Sequence, residues 1–267
     1  MTPESDLDTL IRYFGRGYDY RLPKSTEEKR LLLRSLMNVR MPGPEDGSIL
    51  GIQDGYLRRR AEERGITDSS SIPRISSFSS ANPFADRIAI WQGDITLLRI
   101  GAIVNAANSR MIGCFVPLHA CIDNCIHTYA GIQLREECRR RMSEYSAENG
   151  PDWPTAVPML TGGYNLPAEN IIHVVGPIAG EGTQEENDRD LRDCYLRTLD
   201  MCLENGIRSV AFCCISTGVF GFDCRRAAVI AVRTVTGWLS GHPDGMDLVV
   251  FNVFRDGDLE LYREALS

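Results

Sequence analysis

Apolar residues recur every three or four positions through the first quarter of the chain. Leu7, Leu10, Ile11 and Phe14 share one helical face, and Ser25-Thr26-Glu27-Glu28 has capping-box form ahead of Leu31, Leu32, Leu33 and Leu36. A third helix is predicted from Gly47 to Arg64, stopping at Gly65. Residues 66–83, rich in Ser, Pro and Asn, read as a connector. From about Phe84 the texture changes to short β-type runs at Arg87–Gln92, Ala102–Asn105, Ala156–Thr161, Ile171–Val175, Ser209–Ile215 and Leu248–Val253. Helical patterns fill Ala120–Tyr145, Asp188–Asn205, Cys224–Leu239 and Asp258–Leu266. Such alternation predicts an α/β sheet covered by helices on both faces, with ligand groups at the strand ends. The expected division is a helical N-terminal extension over 1–80 and an α/β domain over 84–267.

Composition narrows the function classes. The 267 residues are 43% hydrophobic and 24% charged, which excludes a mainly disordered, collagenous or coiled-coil chain. A net charge of −7 argues against a broad nucleic-acid-binding face. The only lysines are Lys24 and Lys29, so no P-loop, Schiff-base or kinase-type lysine is available in the α/β part. No uninterrupted apolar run approaches 18 residues, and the acidic start lacks signal-peptide and transit-peptide character. Nine cysteines without a secretion signal are expected to be reduced thiols. A cytoplasmic monomer that binds neither nucleic acid nor membrane is the resulting expectation.

Four constellations can carry chemistry. In Gly113-Cys114-Phe115-Val116-Pro117-Leu118-His119-Ala120-Cys121, Cys114 and His119 fall on a loop, and Cys121 falls on the first turn of a helix, where the dipole favours a thiolate. Two thiolates and an imidazole suit Zn²⁺ and leave a fourth position open; small apolar fillers with a capping histidine are the plainer alternative. Asn105 and Asn108 end a strand-like run with amides suited to sugar hydroxyls, or simply to a turn. Ser216-Thr217-Gly218-Val219-Phe220-Gly221-Phe222, between a strand and a helix, lets backbone N–H groups approach an anion at the helix end. It is neither a Walker A loop nor the glycine fingerprint of a dinucleotide-binding Rossmann turn, which disfavours a conventional NAD-dependent oxidoreductase. Asp94, after the strand ending at Gln92, is either a helix N-cap or an acceptor for an exocyclic amine such as that of adenine.

Taken in order, Trp91–Thr96, Val104–Asn108, His173–Pro177, Ser216–Phe222 and Val250–Phe254 resemble the macrodomain family of ADP-ribose-binding α/β modules. In place of the family's usual Gly-rich loop the chain has Met111-Ile112-Gly113-Cys114 leading into Cys-x₄-His-x-Cys, which resembles the zinc-containing subgroup, protein-ADP-ribose hydrolases with a helical N-terminal extension. The resemblance implies a macrodomain-type mixed sheet and one Zn²⁺ on Cys114, His119 and Cys121. It places adenine at Asp94 and the backbone of Ile95, and the pyrophosphate in the Ser216–Gly221 loop. The distal ribose falls at Asn105, Asn108 and Phe222, and Asn252 lines the adenine side. Asp123, and Asn124 beside it, is a candidate base or a support for the metal ligands, with helix capping as the plain alternative. The implied activity is removal of mono-ADP-ribose from protein side chains, acidic residues through an ester bond, with Asn105, Asn108 and Asp123 nearest the reaction. The alternative is a non-catalytic ADP-ribose reader with a structural zinc. His127, His173, His242 and the other cysteines are expected to pack rather than react.

Overall fold

A computed structural model of the chain describes residues 3–79 and 82–267. Local signals set the helices of the extension. Ser25 caps α2 (Thr26–Val39) by accepting the Glu28 N–H, and Asp46 caps α3 (Gly47–Arg64) by accepting the Ser48 N–H at 2.7 Å. Gly65 then ends α3 at φ 89°, a left-handed value that glycine adopts without a Cβ penalty. With α1 (Pro3–Phe14) these helices bury Leu7, Leu10, Ile11, Phe14, Leu33, Leu36 and Tyr56 in a core of their own, and Ile132 from the second part of the chain joins it.

The segment predicted as a connector is docked along the α/β part instead. Thr67–Asp68 (β1) pairs in parallel with Leu98–Arg99 (β3), and Arg74 bridges to Ala89. Ile72 and Ile75 enter the main core, and Ser79 Oγ donates to the Leu266 carbonyl at 2.6 Å. Two isoleucines in so polar a stretch are too few to make a periodic signal. Positions 80 and 81 of that segment lie outside the described residues.

The main sheet has the order β2 (Ile88–Gln92), β8 (Leu248–Val253), β7 (Ser209–Phe212), β4 (Ala102–Ala107), β6 (Asn170–Val175), β5 (Met159–Gly162). Neighbours are parallel from β2 through β6, and β5 is antiparallel to β6. The inner parallel strands are almost wholly buried, β8 at every position, as strands covered on both faces must be, while the edge strand β2 runs out to an exposed Gln92. The helices α6 (Gln184–Glu204), α7 (Cys224–Gly241) and α8 (Asp256–Leu266) pack on one another, while α4 (Ile122–Ala130) and α5 (Ile132–Asn149) pack together against β4 and β5. The extension is mounted on this second layer through contacts of α2 with α4.

Two boundaries differ from the periodicity. The single helix expected over Ala120–Tyr145 is split at Gly131, whose φ of 100° leaves a Cβ only 2.7 Å from Gln53 Nε2 and Gln133 Oε1. The helix expected from Asp188 begins at Gln184, because Thr183 and Glu186 form a reciprocal capping box. Among the described residues no helix is long and apolar enough to cross a membrane.

Candidate active site at the carboxyl edge of the sheet

Five parallel strands end on one edge, and the chemistry-bearing segments leave from those ends. Asp94 follows β2, Asn252 lies within the last turn of β8, Ser216–Phe222 follows β7, Asn108 and the cysteine loop follow β4, and Gly176 follows β6. In such sheets the carboxyl edge is where ligands bind.

At the β2 end, Asp94 caps a short 3₁₀ turn over Ile95–Leu97: its Oδ1 accepts from the Thr96 N–H at 2.9 Å and the Thr96 hydroxyl at 2.6 Å. The capping and ligand readings are compatible, because Oδ2 lies apart from the cap and is met by Arg64 of α3. The Arg64 guanidinium also stands 4.2 Å from the centroid of the Tyr129 ring. Ile95 is buried. Asn252 spends its amide on the carbonyls of Trp91 (3.3 Å) and Gly93 (3.0 Å), so it fixes the turn that carries Asp94.

At the β7 end, Ser216 adopts φ 65°, an uncommon conformation for a side chain-bearing residue. Its carbonyl accepts the Phe222 N–H at 3.0 Å, closing the loop over a buried Phe222, and its Oγ is buried without a partner. Thr217 turns back on the Cys214 carbonyl, while the N–H groups of Gly218, Val219 and Phe220 meet no acceptor among the described residues. Gly221, at φ 68°, completes the turn. The helix end expected to share the anion is already capped: the Asp223 carboxylate accepts the Arg226 N–H at 2.7 Å. An anion here would meet chiefly the amides of the loop.

At the β4 end, Asn105 is fully buried. The parallel register sets it beside His173, and its Nδ2 donates to Asp123 Oδ1 at 2.8 Å and to His173 Nδ1 at 3.0 Å. The second nitrogen of His173, Nε2, then donates to Thr161 Oγ1 at 3.0 Å. Asn108, half-buried, donates to Asp123 Oδ2 at 3.0 Å and caps the next turn by accepting the Arg110 N–H. Both carboxylate oxygens of Asp123 are thus committed to amides. Asp123 is placed to orient Asn105 and Asn108 rather than to work as an exposed base, and Asn124 instead donates to the Cys114 and Val116 carbonyls.

The surroundings of Asp123 were not evident from the sequence. His127, one helical turn on, brings Nε2 to 3.5 Å of Oδ1 and packs against the His173 ring. Burial pushes the Asp123 carboxyl up to about 6, against the pull of Asn105, Arg135 and Asn108. Burial holds His173 down to about 3, with Arg141 adding to the effect, and holds His127 well below the ordinary histidine range, aided by His173 and Arg135. For His173 the unfolded chain therefore binds the extra proton between pH 6.5 and about 3, and His127, held below its ordinary range, acts in the same direction, so both remove stability as pH falls. Asp123 acts oppositely between about 4 and 6, since there the folded state holds the proton. The His173 contribution alone is a slope of about 1.4 kcal/mol per pH unit. Urea unfolding between pH 6.5 and 4.5 checks it: His173→Gln should flatten the dependence by about one proton, and equal slopes in both proteins would contradict the assignment.

Cys114, His119 and Cys121 come together, with one donor atom from each within 4.8 Å of the others and Cys114 Sγ 3.6 Å from His119 Nδ1. Cys121 is the N-cap of α4, and its Sγ accepts the Asn124 N–H. The dipole argument for a ready thiolate there fails: burial pushes the thiol up, the Asn124 N–H only partly offsets it, and Cys114 and Asp123 push further in the same direction. Two apposed, half-buried thiols and an imidazole are a soft donor set that a divalent metal would fit, displacing the thiol protons on binding. A second group, His127, Cys138 and His173, is wholly buried.

Comparison with known proteins agrees with this architecture. Residues 104–231 match the family model described as Macro domain. A protein-ADP-ribose hydrolase of Treponema medium is 41% identical over 261 residues, 98% of this chain and 96% of that protein. One from Staphylococcus aureus is 44% identical over 247 residues, covering 92% and 88%. A Trypanosoma brucei macrodomain crystallised with ADP-ribose superposes with a TM-score of 0.66 at 26% identity, covering 92% of this chain and 97% of that one. On the sheet, the motifs that leave its carboxyl edge and these relatives, the chain belongs to the macrodomain family.

Proposed function

We propose that the protein is a zinc-dependent hydrolase that releases mono-ADP-ribose from modified protein side chains, acidic residues joined through an ester. The observation that carries the reading is the order of chemistries along the sheet edge. Moving from β2 through β8 and β7 to β4, the edge presents a carboxylate, then unpaired backbone N–H groups, then paired amides beside the thiol–imidazole cluster. Three inter-strand steps of about 4.8 Å set the first and last of these groups about 14 Å apart along the edge. The two relatives above, both protein-ADP-ribose hydrolases, support the hydrolytic reading.

In this reading Asp94 accepts the adenine amine, and the Ile95 backbone bounds the base. The N–H groups of the Ser216–Gly221 loop hold the pyrophosphate, and Phe222 backs the loop. Asn108, steadied by Asp123, meets the distal ribose, while Asn105 keeps Asp123 and His173 in place. Zn²⁺ on Cys114, His119 and Cys121 would supply a positive charge that orients or polarises the distal ribose at its scissile bond.

Asp94→Ala is expected to weaken ADP-ribose binding about tenfold and to abolish the preference for adenine over hypoxanthine, as calorimetric titration would show. For the whole reading, metal content and ADP-ribose release from a mono-ADP-ribosylated protein should both be lost in Cys114→Ala. Undiminished release from metal-free protein would remove zinc from the account, and stoichiometric zinc without turnover on any linkage would leave the reader.

A further inference from the structure

The loop that carries Cys114, His119 and Cys121 is pinned at four backbone points by three polar side chains. Asn124, fully buried on α4, donates to the carbonyls of Cys114 (3.2 Å) and Val116 (3.0 Å). The other two come from α2 in the N-terminal extension, some 80 residues earlier in the chain. Asn38, 1% exposed, accepts the Leu118 N–H at 2.9 Å through Oδ1 and donates to Thr128 Oγ1 at 2.8 Å through Nδ2. Arg34 donates to the carbonyl of His119 at 2.7 Å and to Asn124 Oδ1 at 3.0 Å. Leu118 is the strained residue of this loop, a γ-branched side chain at φ 58° immediately before the histidine. A left-handed leucine persists only where its surroundings over-determine it, and here the Asn38 bond to its own N–H does so.

We propose that Arg34 and Asn38 are positioning residues for the metal loop, so that the helical extension is part of the metal site. The proposal rests on the zinc reading above. Arg34 fixes the backbone of His119 directly, and Asn38 fixes the residue before it. Together they set where the imidazole stands relative to the two thiols of Cys114 and Cys121. Arg135 ties the opposite side of the same joint, donating to the carbonyls of Met37, Asn38 and Arg40 at the end of α2 and lying 4.1 Å from the Phe115 ring within the loop. A helix that only covered the domain would not need polar side chains aimed at the backbone of a ligand.

The test is the affinity of the full-length protein for zinc, by competition with a chromophoric chelator, and the thiolate absorption of the cobalt(II) form. Arg34→Met and Asn38→Ala should each weaken zinc binding by about 10- to 100-fold and alter the cobalt spectrum, the range typical for residues that orient metal ligands. Asn38→Asp, which keeps the acceptor for the Leu118 N–H, should recover most of the affinity. Arg59→Gln is the control for general loosening of the extension: it breaks the Arg59–Asp6 pair far from the loop and should bind zinc and cobalt as the wild type does. Wild-type affinity and spectrum in folded Arg34→Met and Asn38→Ala would overturn the proposal while leaving the zinc reading intact. A wild-type protein that binds no zinc would overturn both, and an Arg59→Gln protein as impaired as the other two would reduce the effect to a structural one.

Discussion

Asp123→Asn is expected to lower ADP-ribose release by roughly 10²-fold while the protein stays folded and ADP-ribose affinity changes by less than tenfold. The substitution preserves shape but places an amide NH₂ where one carboxylate oxygen now accepts from Asn105 or Asn108. Two donors then face each other beside the buried Asp123 position, and leaving a buried donor unsatisfied costs about 1–3 kcal/mol. Asn105 has little freedom to adapt, because its Nδ2 also serves His173, a bond that turning the amide over would break. Asn108 is the member that moves, being half-buried at the strand end, and in the proposed reading the distal ribose moves with it. The same reading takes the adenine and pyrophosphate contacts from other strands, so binding is expected to survive while the reacting end loses its geometry. Steady-state kinetics with calorimetric titration separates the two; unchanged turnover in a folded variant would deny Asp123 its orienting role.

The second large effect belongs to a residue that touches no ligand in this account. Gly176 follows β6, and a Cβ there would overlap Ser216 Oγ and stand 2.7 Å from Ile215 Cγ2. Gly176→Val therefore drives Ser216 outward, and Ser216 is the hinge of the anion loop: its carbonyl holds Phe222, and its left-handed backbone sets the path of residues 217–221. The neighbouring segment cannot absorb the shift, since the Ala179 N–H is bonded to the Phe220 carbonyl at 2.8 Å. ADP-ribose affinity is expected to fall about 100-fold, or about 2.7 kcal/mol, with ADP and ADP-ribose affected alike because the lesion lies at the diphosphate. Equal affinity of the variant and wild type would remove the loop from the binding site.

Much of this frame was readable from local patterns. The cap at Ser25, the stop at Gly65 and the apolar run of β8 depend on residues adjacent in sequence, and the structure reproduces those positions. The Thr183–Glu186 capping box and the glycine that divides α4 from α5 were equally local signals, outweighed by the longer periodic pattern around them. The clustering of Cys114, His119 and Cys121 follows from eight residues of loop closing on a helix start. What could not be read is whatever depends on register or on docking. Nothing in residues 105 and 173 says that β4 and β6 pair with those two side by side, and so the buried Asn105–His173–Asp123 arrangement was invisible. Arg34, Asn38 and Arg64 look like ordinary polar positions on amphipathic helices until the extension is folded against α4 and the β2 turn.

Release of ADP-ribose tests the central claim most directly. The zinc-loaded protein is incubated with a target carrying a single ADP-ribosyl ester on an acidic side chain, and free ADP-ribose is followed over time. The account predicts multiple turnovers, with release lost on chelation and restored by stoichiometric zinc. Tight binding of ADP-ribose with no release from this substrate, or release that proceeds unchanged without metal, would contradict it.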